Sequence, residues 1–283
     1  MTKEECSIQQ ILERRDRVYG VDFSGAKDAG KKIWIAGGTI EGDTLRIDEC
    51  RRADGLPGSG RSREQALAAL REFIAGAEAG VFGLDFPLGL PHPLIGHDDW
   101  TAFVLAFPDD YPTPETFWQR CRERAGGREL KRVTDAESKT PFSAYNVRLY
   151  RQTYFGIRDV IHPLVRDRLA CVLPMQRVRP DRPWLIEICP ASTLKVHDLY
   201  LRRYKRGGAE SHATRARILG GIERAGSLHI PSANLRSAVL DDRHGDALDG
   251  VIAAFATGKA VQNPAFPHVR SNEVYALEGY VYV

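Results

Sequence analysis

The sequence contains no run of about 18 apolar residues, the length that an α-helix needs to cross a bilayer, so it predicts no membrane-spanning helix. Its first 17 residues are charged and lack the apolar centre of a secretory signal. The five cysteines are scattered and include no CxxC pair, which argues against a disulfide framework and against a cysteine zinc site. We therefore expect a cytoplasmic protein with no membrane partner, whose N-terminal 17 residues form a short helix or a frayed arm.

Net charge is also small, at +3 for 283 residues, so overall charge does not indicate a nucleic-acid-binding protein. The composition is 43% hydrophobic and 27% charged, which suits one large domain or a domain with a sizeable insertion. Clusters of basic residues more often form solvated helix faces than phosphate contacts. The chain has two of them: Arg120, Arg122, Arg124, Arg128, Lys131 and Arg132, then Arg202, Arg203, Lys205 and Arg206.

The first half of the chain predicts three strands, a helix and a buried strand. The strands fall within residues 17–25, 31–42 and 44–53, and their short connections predict an antiparallel meander. A helical stripe follows, with Ser62 as N-cap and Gly76 as stop. The segment AGVFGLDFPLGLP then predicts a buried fourth strand ending at Asp85.

A long helical segment interrupts this order. Residues 92–183 are too long for a plain loop and show helical patterns near 98–107, 114–125 and 144–169, so we expect a helical insertion or cap. The segment PWLIEICPAS restores the pattern of a buried strand and contains Glu187. The sequence thus predicts a single α/β domain over residues 1–283 that contains this insertion.

After the strand that contains Glu187, the sequence predicts three more helices and a final strand. The first two cover roughly 192–204 and 211–225, and the last lies in RHGDALDGVIAAFATGK, closed by Gly258. The C-terminal EVYALEGYVYV alternates like a final strand or edge segment.

Carboxylates occupy the ends of several of these elements. Asp22 follows the first strand, Asp85 follows the fourth, and Glu187 lies in the later one. Asp246 and Asp249 are i, i+3 neighbours on the last clear helix. Two small residues, Gly250 and Ala253, continue that helix face. The helix can therefore lie close to the sheet, with both acids facing the strand ends. We assign Asp241 and Asp242 to the preceding loop or cap.

Buried carboxylates need compensation. One ionised carboxylate in a buried strand costs several kcal/mol, and a salt bridge or a helix cap usually offsets that cost. Several together repel one another and raise one another's pKa values. A divalent cation removes the conflict, and oxygen ligands favour Mg²⁺ or Mn²⁺. We therefore expect a set of acids to converge within a few ångströms around Mg²⁺ or Mn²⁺: Asp22, Asp85, Glu187 and Asp246 or Asp249.

The insertion supplies candidate phosphate contacts. Arg148 and Arg151 lie three positions apart on a predicted helix, beside Tyr145 and Tyr154. Interleaved aromatic and arginine residues suit single-stranded nucleic acid, although helical packing explains the spacing equally well.

Five motifs follow one another along the chain: GVDFSGA, GLDFPLGLP, EICPAST, HGDALDGVIAA and LEGYVYV. In this order they resemble the domain-of-unknown-function 429 family, which is regarded as ribonuclease H-like and is predicted to be a nuclease. The resemblance implies a mixed five-stranded sheet flanked by helices, with three antiparallel strands first and two later strands parallel to the first. It also implies Asp22, Asp85, Glu187 and one or both of Asp246 and Asp249 as metal-binding positions. Glu187 would then substitute for the glutamate that ribonuclease H takes from the helix after its third strand.

The leading functional hypothesis is a divalent-metal-dependent phosphodiesterase, a nuclease, because two cations in such a site activate water and stabilise a leaving oxygen. One alternative is a relative of the actin-like and sugar-kinase phosphotransferases, because the motif GVDFSGA resembles their first phosphate loop. Those proteins, however, need a second, duplicated domain. Another is a non-catalytic binding module that retains the fold. DNA, RNA or a small phosphoester as substrate, and the oligomeric state, stay open.

Overall fold

The computed structural model describes residues 15–224, 227–263 and 265–283. The predicted N-terminal helix or arm lies outside these ranges except for its last three residues, of which Arg17 begins the first strand.

A mixed eight-stranded sheet forms the centre of the described chain, in the order β5-β6-β4-β1-β2-β3-β7, with β8 paired to β6. Its strands in chain order are β1 (Arg17–Asp22), β2 (Trp34–Glu41), β3 (Thr44–Arg52), β4 (Val81–Leu84), β5 (Cys171–Val172), β6 (Trp184–Ile188), β7 (Leu228–His229) and β8 (Val281–Tyr282).

The five predicted strands are β1, β2, β3, β4 and β6, with the predicted directions. The first three are antiparallel, β4 is parallel to β1, and β6 is parallel to β4. The expectation of five strands was nevertheless wrong, because β5, β7 and β8 extend the sheet. β5 and β7 have two residues each, which is too short for an alternating pattern to be detected. β8 also has two residues, and it lies at the end of the segment EVYALEGYVYV, where a final strand was predicted.

The first helix, α1 (Arg63–Ala75), is confirmed with both of its predicted ends. The Ser62 side chain accepts a hydrogen bond from the Gln65 amide, which satisfies one of the free N–H groups of the first turn, and the chain leaves the helix at Gly76. Its buried stripe packs into a core on one face of the sheet. Three short 3-10 turns are present in the described chain. Ala29–Lys31 lies between β1 and β2, Ala53–Gly55 follows β3, and Phe266–Ser271 precedes the C-terminal helix.

The insertion is helical, as predicted, over most of its length. It contains α2 (His92–Ile95), α3 (Trp100–Asp110), α4 (Pro114–Arg124), α5 (Val133–Glu137) and α6 (Tyr150–Gly156), which continues through a π-helical turn (Ile157–Ile161) into α7 (His162–Arg166). The last predicted segment therefore begins at Tyr150 and not at 144, and β5 follows it within the insertion.

The C-terminal part contains α8 (Pro190–Val196), α9 (Ala209–Arg224), α10 (Ala233–Asp241), α11 (Asp246–Gln262) and α12 (Glu273–Glu278). Two predicted helix ends were wrong. The helix expected over 192–204 ends at Val196. Gly258 does not close α11, because it lies inside the helix against Leu45. The predicted final strand is found only at its end, as β8, because the Asn272 side chain caps α12 in the first part of that segment.

The helix α11 lies unusually close to the sheet because two strand glycines face it. A Cβ atom on Gly20 would lie 2.0 Å from the Ala254 amide nitrogen, and one on Gly83 would lie 2.0 Å from Oγ1 of Thr257. The resulting core contains α11 on one face of the sheet, whereas α1 and the insertion pack on the other. Among the described residues, no helix is both long enough and apolar enough to cross a membrane.

Candidate functional site

Two aspartates lie side by side where β1 and β4 end. The parallel register pairs Val21 with Leu84, and the Asp85 amide donates a 3.0 Å hydrogen bond to the Val21 carbonyl. Asp22 and Asp85 follow this pair directly. Since side chains alternate between the faces of a strand, both share the face of Gly20 and Gly83, which is the face that α11 covers. Asp22 is buried and Asp85 is partly buried.

The helix α11 contributes the third carboxylate. Its close approach to the sheet places Asp249, which is fully buried, beside the strand ends. The Tyr204 hydroxyl donates a 2.9 Å hydrogen bond to Oδ1 of Asp249, and the Lys205 ammonium forms an ion pair with Oδ2. The side chain of Lys205 is half exposed, so it reaches the buried carboxylate from the solvent side.

Two of the three carboxylates, Asp22 and Asp85, have strongly raised pKa values. Burial raises the pKa of Asp22 well above its usual range, and the charges of Asp249 and Asp85 raise it further, against the opposing effect of Lys205. Burial likewise raises the pKa of Asp85 to about 7, with the Lys205 ammonium lowering it and Asp249 raising it. Protonation thus removes part of a negative charge that Lys205 does not fully balance.

Asp246 is the outer member of the helical pair. It is partly buried in the first turn of α11 and, like Asp22, is absent from the lining of the cleft described below. Burial is the main cause of its raised pKa, and the charges of Asp242 and Asp249 add to it against that of Lys205. Asp242 caps the helix as predicted, since its Oδ2 accepts a 2.8 Å hydrogen bond from the Asp246 amide. The assignment of Asp241 to the same loop was wrong, because Asp241 is the last residue of α10.

Glu187 lies on the other face of the sheet. The register of β6 pairs Glu187 with Leu84, one position before Asp85, so alternation directs it away from α11. Arg132 binds both of its carboxylate oxygens, with Nη1 2.7 Å from Oε2 and Nη2 2.5 Å from Oε1. The Leu88 amide donates a further hydrogen bond to Oε2. The sequence-based grouping of Glu187 with the aspartates is therefore corrected: its charge raises the pKa of Asp85, but its oxygens already have partners.

Arg132 connects the insertion to the sheet. Its guanidinium is fully buried and also contacts Asp135, with Nη2 2.8 Å from Oδ1 and Nε 3.0 Å from Oδ2. Its Nη1 donates to the Glu278 carbonyl at 3.3 Å. One buried cation thus fixes the insertion, β6 and the C-terminal helix to one another.

A cleft of about 260 Å³ opens beside these groups. Asp85, Asp249 and Lys205 line one side, and the Arg132–Glu187 pair lines another. The insertion covers the remaining side through residues between Arg132 and Gln152. Part of the insertion therefore forms one wall of the cleft beside the carboxylates.

The two candidate arginines differ in position. Arg148 lines the cleft from the turn before α6, and its Cζ lies 5.6 Å from the Phe142 ring centroid. Arg151 lies on α6 outside the cleft lining and forms an ion pair with Glu115. The placement of both on one helix was wrong, because α6 begins at Tyr150.

Tyr145 and Tyr154, the predicted aromatic neighbours of these arginines, are both buried. Both pack into the core. Helical packing explains the position of Tyr154, whereas Tyr145 lies in the turn before α6.

Two groups of the site lay in the basic clusters and were interpreted from sequence as solvated: Arg132 and Lys205. Both partners are distant in sequence, because Arg132 binds Glu187 and Lys205 binds Asp249. The aspartate three positions after Arg132 was the one local signal, since an i, i+3 pair can fix a guanidinium.

The donor chemistry of the three aspartates suits a hard divalent cation. They come from three elements and offer only oxygen ligands, and the buried Oδ2 of Asp249 already has a cationic partner in the Lys205 ammonium. As they stand, however, no three described His, Cys, Asp or Glu side chains are arranged to hold a metal ion. The expected acids therefore do not form one ligand cluster: Lys205 stands among the aspartates, and Glu187 is on the opposite face.

No protein-family model, curated protein or solved structure matches this chain. The resemblance to the domain-of-unknown-function 429 family therefore depends on the five sequence motifs alone.

Proposed function

We propose that this chain is a divalent-metal-dependent phosphodiesterase of the ribonuclease H-like class, a nuclease, with Mg²⁺ or Mn²⁺ held by Asp22, Asp85 and Asp249. The observation that carries the proposal is the uncompensated charge of these carboxylates. Burial and mutual repulsion raise the pKa values of Asp22 and Asp85, and one half-exposed lysine stands against all three. A purely structural site has no physical reason to gather several buried acids.

The fold supports the same proposal. Three antiparallel strands followed by two strands parallel to the first are the arrangement expected of a ribonuclease H-like sheet. The acids lie at the carboxyl ends of β1 and β4, where ligands of open α/β sheets commonly bind. The three added strands do not come between β1 and β4, so the two strand ends stay adjacent.

Each residue has a physical task in this proposal. Bound cations supply the activation of water and the stabilisation of the leaving oxygen. The Tyr204 hydroxyl orients Asp249 through its hydrogen bond to Oδ1. Gln152 donates a 2.6 Å hydrogen bond to the Asp85 carbonyl and so fixes the insertion at the strand end. Arg148 lines the cleft and binds a phosphate oxygen of the substrate.

The decisive experiment is a cleavage assay with labelled single-stranded, double-stranded and branched DNA and RNA, together with a simple phosphodiester, in Mn²⁺, Mg²⁺ or EDTA. We expect cleavage with metal and none in EDTA. Asp22→Asn should abolish it, and Asp28→Asn should not, because Asp28 is an exposed aspartate of the following turn that pairs with Lys32. Cleavage that survives EDTA, or equal activity of Asp22→Asn and the unchanged protein, would overturn the proposal.

A second candidate, a non-catalytic binding module, is favoured by the Lys205–Asp249 ion pair, since an ammonium group among the carboxylates supplies part of the charge that a metal would supply. Such a module keeps its nucleic-acid affinity in EDTA. The same assay separates the two, because only the phosphodiesterase gives metal-dependent products.

A further inference from the structure

The cleft beside the carboxylates has fixed walls. Prolines stand on the sheet side, on the insertion and at the start of α8: Pro87, Pro141 and Pro190. The proline ring fixes φ, so these backbones have little freedom to move. Arg132 further holds the insertion to the sheet through two bonds to Glu187. Breaking a buried pair of this kind is costly, which argues against an insertion that swings open to admit a wide ligand.

Size then limits what the cleft accepts. Its volume is about 260 Å³, near the lower end of the roughly 300–1,000 Å³ typical of small-molecule sites. A DNA duplex is too wide for a cleft of this size, since its major groove, which is only part of its width, already measures about 12 Å. The scissile phosphate must nevertheless reach Asp85 and Asp249, which line this cleft.

The wall chemistry suits one nucleotide. Phe142 presents a partly buried aromatic ring, and bases of any sequence stack on such rings. The Arg148 guanidinium lies over the same ring, and it forms no ion pair with a carboxylate of the described chain. The ring can therefore stack on the base of a nucleotide while the guanidinium, close to the carboxylates, binds the phosphate of the same nucleotide.

We infer that this cleft takes the terminal nucleotide of a single strand, so that cleavage proceeds from a strand end; the inference rests on the proposed function. Water attacks the phosphorus of the last phosphodiester, the P–O bond to the neighbouring sugar breaks, and the leaving oxygen takes up a proton. The products are a nucleotide and a strand shortened by one unit.

The test compares a linear oligonucleotide with a covalently closed circle of the same sequence, as DNA and in parallel as RNA, in Mn²⁺ and in EDTA. We expect mononucleotides from the linear strand from the first time points and no opening of the circle. A circle opened as fast as the linear strand is cut overturns the inference and leaves the proposed function standing. If neither is cut in Mn²⁺, the proposed function and this inference both fall.

A variant tests the stacking wall separately. Phe142→Ala should raise the KM for the linear strand by about tenfold, since stacking of one base contributes on that scale. Val147→Ala is the matched control, because Val147 is an exposed apolar residue of the same loop region. Phe142→Leu keeps an apolar side chain without the ring and should also raise KM, which separates stacking from loss of folding. An unchanged KM in both Phe142 variants would overturn the assignment.

Discussion

Lys205 reaches from the solvent into the site and places its ammonium against Asp249, whose carboxylate is fully buried. The lysine side chain is half exposed, whereas the aspartate has no access to water. The ammonium can therefore withdraw into solvent and the carboxylate cannot. Any cation that reaches Asp249 from the cleft competes with this lysine.

Lys205→Met should lower the stability of the protein in EDTA and tighten its binding of Mn²⁺. Loss of the ammonium leaves Asp249 without its ion pair, at a cost of about 1–2 kcal/mol, less than for a fully buried pair because Lys205 is half exposed. A cation no longer has to displace the ammonium, so the Kd should fall by about tenfold. Urea unfolding and calorimetric titration measure the two effects, and Lys32→Met, at an exposed ion pair, serves as control. Weaker Mn²⁺ binding by Lys205→Met would contradict the competition.

Asp85 should make the stability of the protein in EDTA fall as the pH rises from about 4 to about 7. Burial raises the pKa of Asp85 to about 7 in the folded protein. The unfolded chain ionises it near its ordinary value of about 3.9. Folding therefore takes up a proton between pH values of about 4 and about 7. The favourable contribution of protonated Asp85 to stability is complete below about pH 4 and is lost above about pH 7.

Comparison with Asp85→Asn isolates this contribution from the other titrating groups. The variant should be as stable as the unchanged protein near pH 4 and more stable near pH 7, in urea unfolding with EDTA. A stability difference that does not vary with pH would show that Asp85 ionises normally.

Arg148→Ala should weaken nucleic-acid binding more than Arg151→Ala does. Arg148 lines the cleft, whereas Arg151 lies outside it and pairs with Glu115. Loss of one phosphate contact should also reduce the slope of log K against log salt by about one unit. Fluorescence anisotropy with a labelled single strand over a salt series measures both quantities. Equal effects of the two substitutions would remove Arg148 from the substrate site.

Glu187→Gln should destabilise the protein and leave its metal response intact. The substitution removes the charge that both Nη atoms of the buried Arg132 guanidinium contact. Breaking a buried pair costs about 3–5 kcal/mol, and the cost should be smaller here because Asp135 still pairs with the guanidinium. The melting temperature should fall, but the rise produced by Mn²⁺ should persist. Glu115→Gln, at an exposed pair, should change little. Loss of the Mn²⁺ response in Glu187→Gln would return Glu187 to the metal ligands.

The strongly patterned parts of the fold could be predicted from sequence. The meander, the ends of α1 and the buried strand before Asp85 each have a local signal, whether alternation, a cap or a turn-forming residue. The convergence of Asp22 with Asp85 follows from parallel strands that end together. The two-residue strands β5 and β7 carry no such signal.

The face on which Glu187 lies could not be predicted. Its position depends on how β6 aligns with β4, and a shift of one residue exchanges the two faces of a strand. The partners of Arg132 and Lys205 are set by tertiary structure in the same way. A basic side chain in a charged cluster has the same local sequence whether it is solvated or buried against a distant carboxylate.

The account rests on the claim that Asp22, Asp85 and Asp249 hold a divalent cation, and direct titration with Mn²⁺ at pH 7.5, followed by electron paramagnetic resonance of the free ion, tests it. We expect the unchanged protein and Asp28→Asn to bind Mn²⁺ equally. Asp22→Asn, Asp85→Asn and Asp249→Asn should each weaken binding by at least about tenfold, since each removes a charged oxygen ligand. If the unchanged protein and Asp22→Asn give the same titration curve, the carboxylates do not form a metal site.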